Sequence, residues 1–190
     1  MEQSDNIHEH FIPQRMEASD AVIPKDSAIA EELEIIKYIA EKYEDDAEVE
    51  LFVPHSEEEI KAFEERAGIS LNDELRQFYL FTNGLCEMSI VEIHDLENVE
   101  GYYKMGYSDW AEEGDSEKYV WIGGDGGYTC LLMEKETGKL FRYYEEDDII
   151  GVESFKDELL WTISDIYENI CDNGEDEIIE EYLKRNAERM

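Results

Sequence analysis

The sequence predicts an α+β protein, a twisted, mainly antiparallel or mixed β-sheet flanked by helices, with an extra helix at the C-terminus. Three observations point there. A capped helical hairpin is legible over residues 56–84, β-branched and aromatic runs broken by glycine turns occupy 119–144, and a long helical stripe follows at 154–170. Helices, then strands, then helices is the order of an α+β chain, whereas a parallel α/β fold alternates the two.

Residues 1–27 are polar, carry Pro13 and Pro24, show no sustained period, and read as a mobile or loosely packed arm. Ile29, Leu33, Ile36, Ala40 and Tyr43 then recur at helical spacing, with Ser27 placed to cap the helix. Val49 to Val53 is a short apolar run ending at Pro54. Ser56 and Glu59 make a capping box, in which the Ser hydroxyl accepts from the third helical amide and the Glu carboxylate reaches back. Ile60, Phe63 and Ala67 line that helix, and Gly68 supplies the left-handed residue that stops it. A second helix starts near Asp73, turns Leu75, Phe78 and Tyr79 inward, and ends at Asn83-Gly84.

Beyond Gly84 the texture changes. Ser89 to Ile93 is β-branched, and a looser acidic segment from about Asp95 to Lys118 contains Trp110. Tyr119–Ile122, Tyr128–Met133 and Leu140–Tyr144 read as a three-stranded antiparallel meander, with turns at Gly123–Gly127 and Glu136–Lys139. Ser154 caps a helix that buries Phe155, Leu159, Thr162, Ile163, Ile166 and Ile170, and Asn173-Gly174 ends it. Residues 28–172 are the expected globular domain. Residues 173–190 form a C-terminal amphipathic helix with Ile178, Ile179, Tyr182 and Leu183 on one side.

Composition bounds the function. Lys and Arg total 16 against 51 Asp and Glu, a formal charge of −35. That balance excludes a protein whose basic face neutralises nucleic-acid phosphates, and disfavours docking on an anionic membrane. Leu, Ile, Val and Phe make up roughly 24% of the chain, above the roughly 20% below which acidic chains stay disordered, so a core is affordable beneath a charged shell. Cys86, Cys130 and Cys171 show no metal-finger spacing and read as buried thiols, and the N-terminus has no signal-peptide pattern. A cytoplasmic location is the expectation.

The segment SEEEIKAFEERAGISLNDELRQFYLFTNG, residues 56–84, resembles the signature of the SUKH superfamily: an acidic capped helix, a Gly, a Phe-Tyr pair and a closing Asn-Gly. Gly68, Leu71, Phe78, Tyr79, Asn83 and Gly84 stand in the family's places, with Asn72 where Pro is usual. The later WIGGDGGYTCLLMEKETGKLFRYY and SFKDELL are similar to its strand, turn and final-helix order, so the likeness spans roughly residues 28–172. The resemblance implies a SUKH-like fold with no catalytic centre. It further implies, in bacteria, an immunity protein that binds and neutralises a toxin, often a nuclease.

The residues agree. The GGDGG stretch at 123–127 lacks the Lys and Ser/Thr of a phosphate loop, and Asp125 repels phosphate. His8 and His10 have no third ligand nearby, and residues 172–177 break calcium-loop spacing. No catalytic, cofactor or metal residues are assigned, and with 51 acids, paired carboxylates carry no information. The charge does carry some, because an acidic surface speeds encounter with a basic partner and can occupy a nuclease's phosphate-reading cleft. The expected partner is a cognate protein toxin with a basic nuclease domain, met without direct nucleic-acid or membrane binding. Candidate contacts are Asp109, Trp110, Glu112, Glu113 and Asp115, and Glu145, Glu146, Asp147 and Asp148. Trp110 either anchors that interface or folds into the core. The alternative function is a non-catalytic regulator or scaffold of the same fold, using the terminal helix to dock a groove or to dimerise.

Overall fold

A computed structural model describes residues 12–44, 49–87, 90–105, 118–124, 129–144, 149–170 and 176–190. Eight strands lie in chain order in one antiparallel sheet: β1 (Arg15–Met16), β2 (Glu50–Phe52), β3 (Leu85–Glu87), β4 (Ile90–Ile93), β5 (Tyr119–Gly124), β6 (Thr129–Glu134), β7 (Leu140–Tyr144) and β8 (Ile149–Val152). Six α-helices are described: α1 (Ala30–Lys42), α2 (Glu57–Ala67), α3 (Asp73–Phe81), α4 (Leu96–Met105), α5 (Phe155–Ile170) and α6 (Glu177–Asn186). The sheet has two four-strand halves. They meet at the single register pair Ile93–Gly123, reinforced by the His94 amide donating to the Ile122 carbonyl at 2.9 Å. The α+β class holds, and every described pairing is antiparallel.

The hairpin of α2 and α3 forms for the reasons read in the sequence. The Ser56 hydroxyl accepts from the Glu59 amide at 3.3 Å while Glu59 accepts from the Ser56 amide at 2.8 Å, and Gly68 sits at φ 68°. Asn72 caps α3 by accepting from the Leu75 amide at 2.8 Å. The core beneath is continuous from Leu33, Ile36 and Ile39 on α1, through Phe78 and Tyr79, to Val120, Leu131 and Met133 on the sheet and Phe155, Leu159 and Ile163 on α5. Phe78 meets both Tyr79 and Phe155 edge-on, at centroid separations of 5.6 and 5.3 Å.

Several expectations need correction. Within the arm of residues 1–27, the stretch 15–21 touches the domain. Met16 pairs with Leu51, Ala21 is buried, and Lys37 ties the Ala21 carbonyl at 2.7 Å. Ser27 does not cap α1. Its hydroxyl donates to Gln77 Oε1 at 2.7 Å, as does the Ala28 amide at 2.8 Å, so α3 holds the turn and α1 begins at Ala30. The acidic segment after Asp95 begins with α4, nucleated where Asp95 accepts from the Asn98 amide at 2.9 Å. The meander has a fourth strand, β8, and Gly123 and Gly124 extend β5 instead of forming the turn. At Gly124 a Cβ would lie 2.2 Å from the Thr129 carbonyl oxygen, so only glycine lets β5 and β6 close that tightly.

Candidate functional site

The candidate contacts Asp109, Trp110, Glu112, Glu113, Asp115, Glu145, Glu146, Asp147 and Asp148 lie outside the described residues. Three other regions gather chemistry-bearing side chains: the end of the helical hairpin, the docked terminal helix, and the rim formed by β8 and α5.

At the hairpin's end, Gly84 adopts φ 104°, and a Cβ there would meet the Ile93 carbonyl at 2.9 Å. This close approach lets the Asn83 side chain bridge two elements. It accepts from the Leu96 amide at 3.1 Å and donates to Glu97 Oε2 at 2.9 Å. Glu97 Oε1 in turn faces His55 Nε2 at 3.2 Å, and the other ring nitrogen lies 3.7 Å from Glu59. The knot therefore joins the starts of α2 and α4 to the end of α3. Burial pushes the Glu97 carboxyl up, but the His55 ring and the Asn83 amide outweigh it and hold the group at about 2. The hydrogen bond to Glu97 raises His55 above its ordinary value. Asp95, buried beside them, is pushed up to about 6 by desolvation despite the Asn98 donors. Tyr79 closes the floor, its hydroxyl donating to the His94 carbonyl at 2.9 Å. This Asn-Gly is architectural: it makes the turn, and its polar groups are spent inside the fold.

The terminal helix α6 is docked on its own chain. Asp176 caps it, accepting from the Ile178 and Ile179 amides at 2.9 and 3.3 Å. The other carboxylate oxygen accepts from Lys42 at 2.6 Å, Tyr43 at 2.7 Å and Tyr38 at 3.0 Å, all from α1 or its end. Burial opposes ionisation of Asp176, yet Lys42 and the two tyrosines hold it well below the usual carboxylate range. Ile179 and Tyr182 are fully buried, and the Tyr182 hydroxyl donates to the buried Glu32 at 3.1 Å. The face expected to dock a groove or dimerise is therefore already used; of its four apolar residues Ile178 alone is 51% exposed.

At the other border of α5 the balance differs. Ile150 on β8 is 55% exposed and Trp161 on α5 is 40% exposed, and both line a groove of about 210 Å³ with Arg142, Val152, Asp157 and Arg189. Two ion pairs frame it. Arg142 grips Glu158 through two contacts of 3.0 and 2.6 Å, and Arg189 grips Asp157 through two of 2.9 and 2.6 Å. Sequence reasoning missed this rim because it ended the meander at Tyr144, which left Ile150 without a strand. The signal was present in the β-branched pair Ile149-Ile150 after the acids.

Among the described residues no group of three or more His, Cys, Asp or Glu is placed to hold a metal ion, and no helix is long and apolar enough to cross a membrane. No curated protein matches the sequence. A model of the SMI1 / KNR4 family (SUKH-1) matches residues 54–161, from Pro54, two residues before the capping box, to the exposed Trp161.

Proposed function

The chain belongs to the SMI1 / KNR4 (SUKH-1) family, and from that premise we propose that it is a non-catalytic immunity protein that binds and neutralises a cognate toxin carrying a basic nuclease domain. One observation carries the reading: a net charge of −35 over the chain, in a family member whose polar motif residues are consumed by its own fold. A charge of magnitude roughly 2 to 8 is enough to keep a small domain soluble, so the excess calls for another use. It draws in a basic partner and competes with nucleic acid for a phosphate-binding cleft. The acids at 109–115 and 145–148, with Trp110, remain part of the proposed contact surface.

The test is association with the C-terminal domain of each neighbouring open reading frame. The expected result is a one-to-one complex whose association rate falls at least about tenfold from low to high salt, since exposed charges are screened within about 10 Å at 0.1 M ionic strength. Equal, weak, salt-labile binding to every basic protein would sink the proposal. The regulatory alternative keeps the fold and partner binding without a toxin, but its version through the terminal helix is closed off by the burial of Ile179 and Tyr182.

A further inference from the structure

The geometry points to the β8–α5 rim as a docking edge for an extended, basic strand of the partner protein, which adds to the sheet beside β8 and seats an apolar side chain between Ile150 and Trp161. This deepens the proposed function by naming the surface and the form of the partner, and it rests on that reading only for the partner's charge.

Four observations converge. First, β8 is the terminal strand of the sheet, and among the described residues no strand pairs with its outer side. An edge strand offers a row of backbone donors and acceptors, and proteins that do not use such an edge blunt it with Pro, Lys or brevity. The opposite edge is blunted in this way: β1 has two residues, follows Pro13, and begins with Arg15 ion-paired to Glu50. β8 has four residues, Ile149-Ile150-Gly151-Val152, with no Pro or Lys among them.

Second, Gly151 is exposed, and a Cβ built on it would meet nothing within 4 Å. No internal packing demands glycine there, and a strand glycine commonly marks a place where another backbone comes close.

Third, Ile150 pairs with Arg142 in register, so the two side chains share the sheet face that Arg142 uses to reach Glu158 on α5. Ile150 and Trp161 thus form one apolar seat, framed by the Arg142–Glu158 and Arg189–Asp157 pairs. A large aromatic inside a polar rim is the usual make-up of a binding hot spot.

Fourth, charge chooses the occupant. Glu153 follows β8, the acids at 145–148 precede it in sequence, and Asp165 and Glu168 continue the exposed stripe of α5 beyond Trp161. A second copy of this chain would set −35 against −35 and its own acidic runs against each other. A strand alternating apolar and basic residues fits instead: backbone to backbone, apolar side chains into the seat, and basic ones toward Glu153, Asp165 and Glu168.

The probe is a short acetylated peptide alternating lysine and valine, titrated into the isotope-labelled chain at low salt while amide and indole NMR signals are followed. Expected are shifts of Ile150, Gly151 and the Trp161 indole, no such shifts with the fully N-methylated analogue, and weakening by about tenfold or more in both Trp161→Ala and Ile150→Lys. Ile178→Lys makes the same charge change at similar exposure on α6 and should alter affinity less than about twofold. Unchanged urea midpoints would show that each variant is folded. Equal weakening by Ile150→Lys and Ile178→Lys, or shifts away from β8, would overturn the docking edge while leaving a basic partner in place. Absence of binding would also overturn it, and the complex with the whole nuclease domain tests the function separately.

Discussion

Helix α5 is bordered by α6 and by β8, and the two borders are built differently. At α6, Ile179 and Tyr182 are fully buried, the Asp176 carboxylate is met by a lysine and two tyrosines, and the Tyr182 hydroxyl ends on Glu32. At β8, the ion pairs are just as well made, yet Ile150 and Trp161 stay in water. Amphipathic pattern alone does not separate these cases, since both set apolar residues among acids. The difference is what remains exposed once the chain has satisfied itself. One border closes the fold, and the other is left for something outside it.

Substitutions at the closed border should have the largest effect on stability. Tyr182→Ala removes a fully buried aromatic and its hydroxyl, and should cost about 3 to 5 kcal/mol in urea unfolding. Next comes Asp176→Ala, which removes the α6 cap and the partner of Lys42, with an expected loss of about 2 to 4 kcal/mol. If either variant kept wild-type stability, α6 would be an appendage and the contrast between the borders would fail.

The knot at His55 and Glu97 is a paired site of the closed kind that titrates within reach. The raised His55 stabilises the fold fully below its unfolded value of 6.5, and that contribution is lost as pH climbs through the folded value. Glu97 contributes fully above 4.5 and loses its contribution as pH falls toward about 2. Asp95 favours the fold below 3.8 and loses that advantage as pH rises through about 6. Of the three, only the His55 contribution is still being lost above pH 6.5, so stability should fall as pH rises from about 6 through the folded value of His55. Urea midpoints across that range should fall less in Glu97→Gln, because His55 then faces an amide in place of a carboxylate; an identical fall in both proteins would remove the knot from the account.

The smallest stability effects belong to the open border. Ile150→Ala should stay within about 0.5 kcal/mol of wild type, and Ile178→Ala should match it as an exposed residue on the closed helix. A larger loss at Ile150 would mean that the rim holds the fold together.

The sequence makes much of this legible, and unevenly. The hairpin could be read because its caps are local: Ser56, Glu59, Gly68 and Asn83-Gly84 each act within a few residues of themselves. The start of α1 could not, because Gln77, about fifty positions away, fastens it. The same holds for α6. Its apolar stripe is visible, but the hydroxyls of Tyr38 and Tyr43 that receive Asp176 are not. The family match covers residues 54–161 and so omits α1 and α6, and each of these long-range ties ends on one or both of them. The rim was missed for a related reason: the pair Ile149-Ile150 marks a strand, but its place at the edge of the sheet is set by the order of all eight strands.

Growth rescue tests the central claim most directly. The C-terminal domain of each neighbouring open reading frame is expressed in a sensitive host with and without this chain. The account predicts that a nuclease domain kills and that co-expression restores growth, with Trp161→Ala restoring it less well than Ile178→Lys. A toxic neighbouring nuclease that this chain fails to rescue would contradict it.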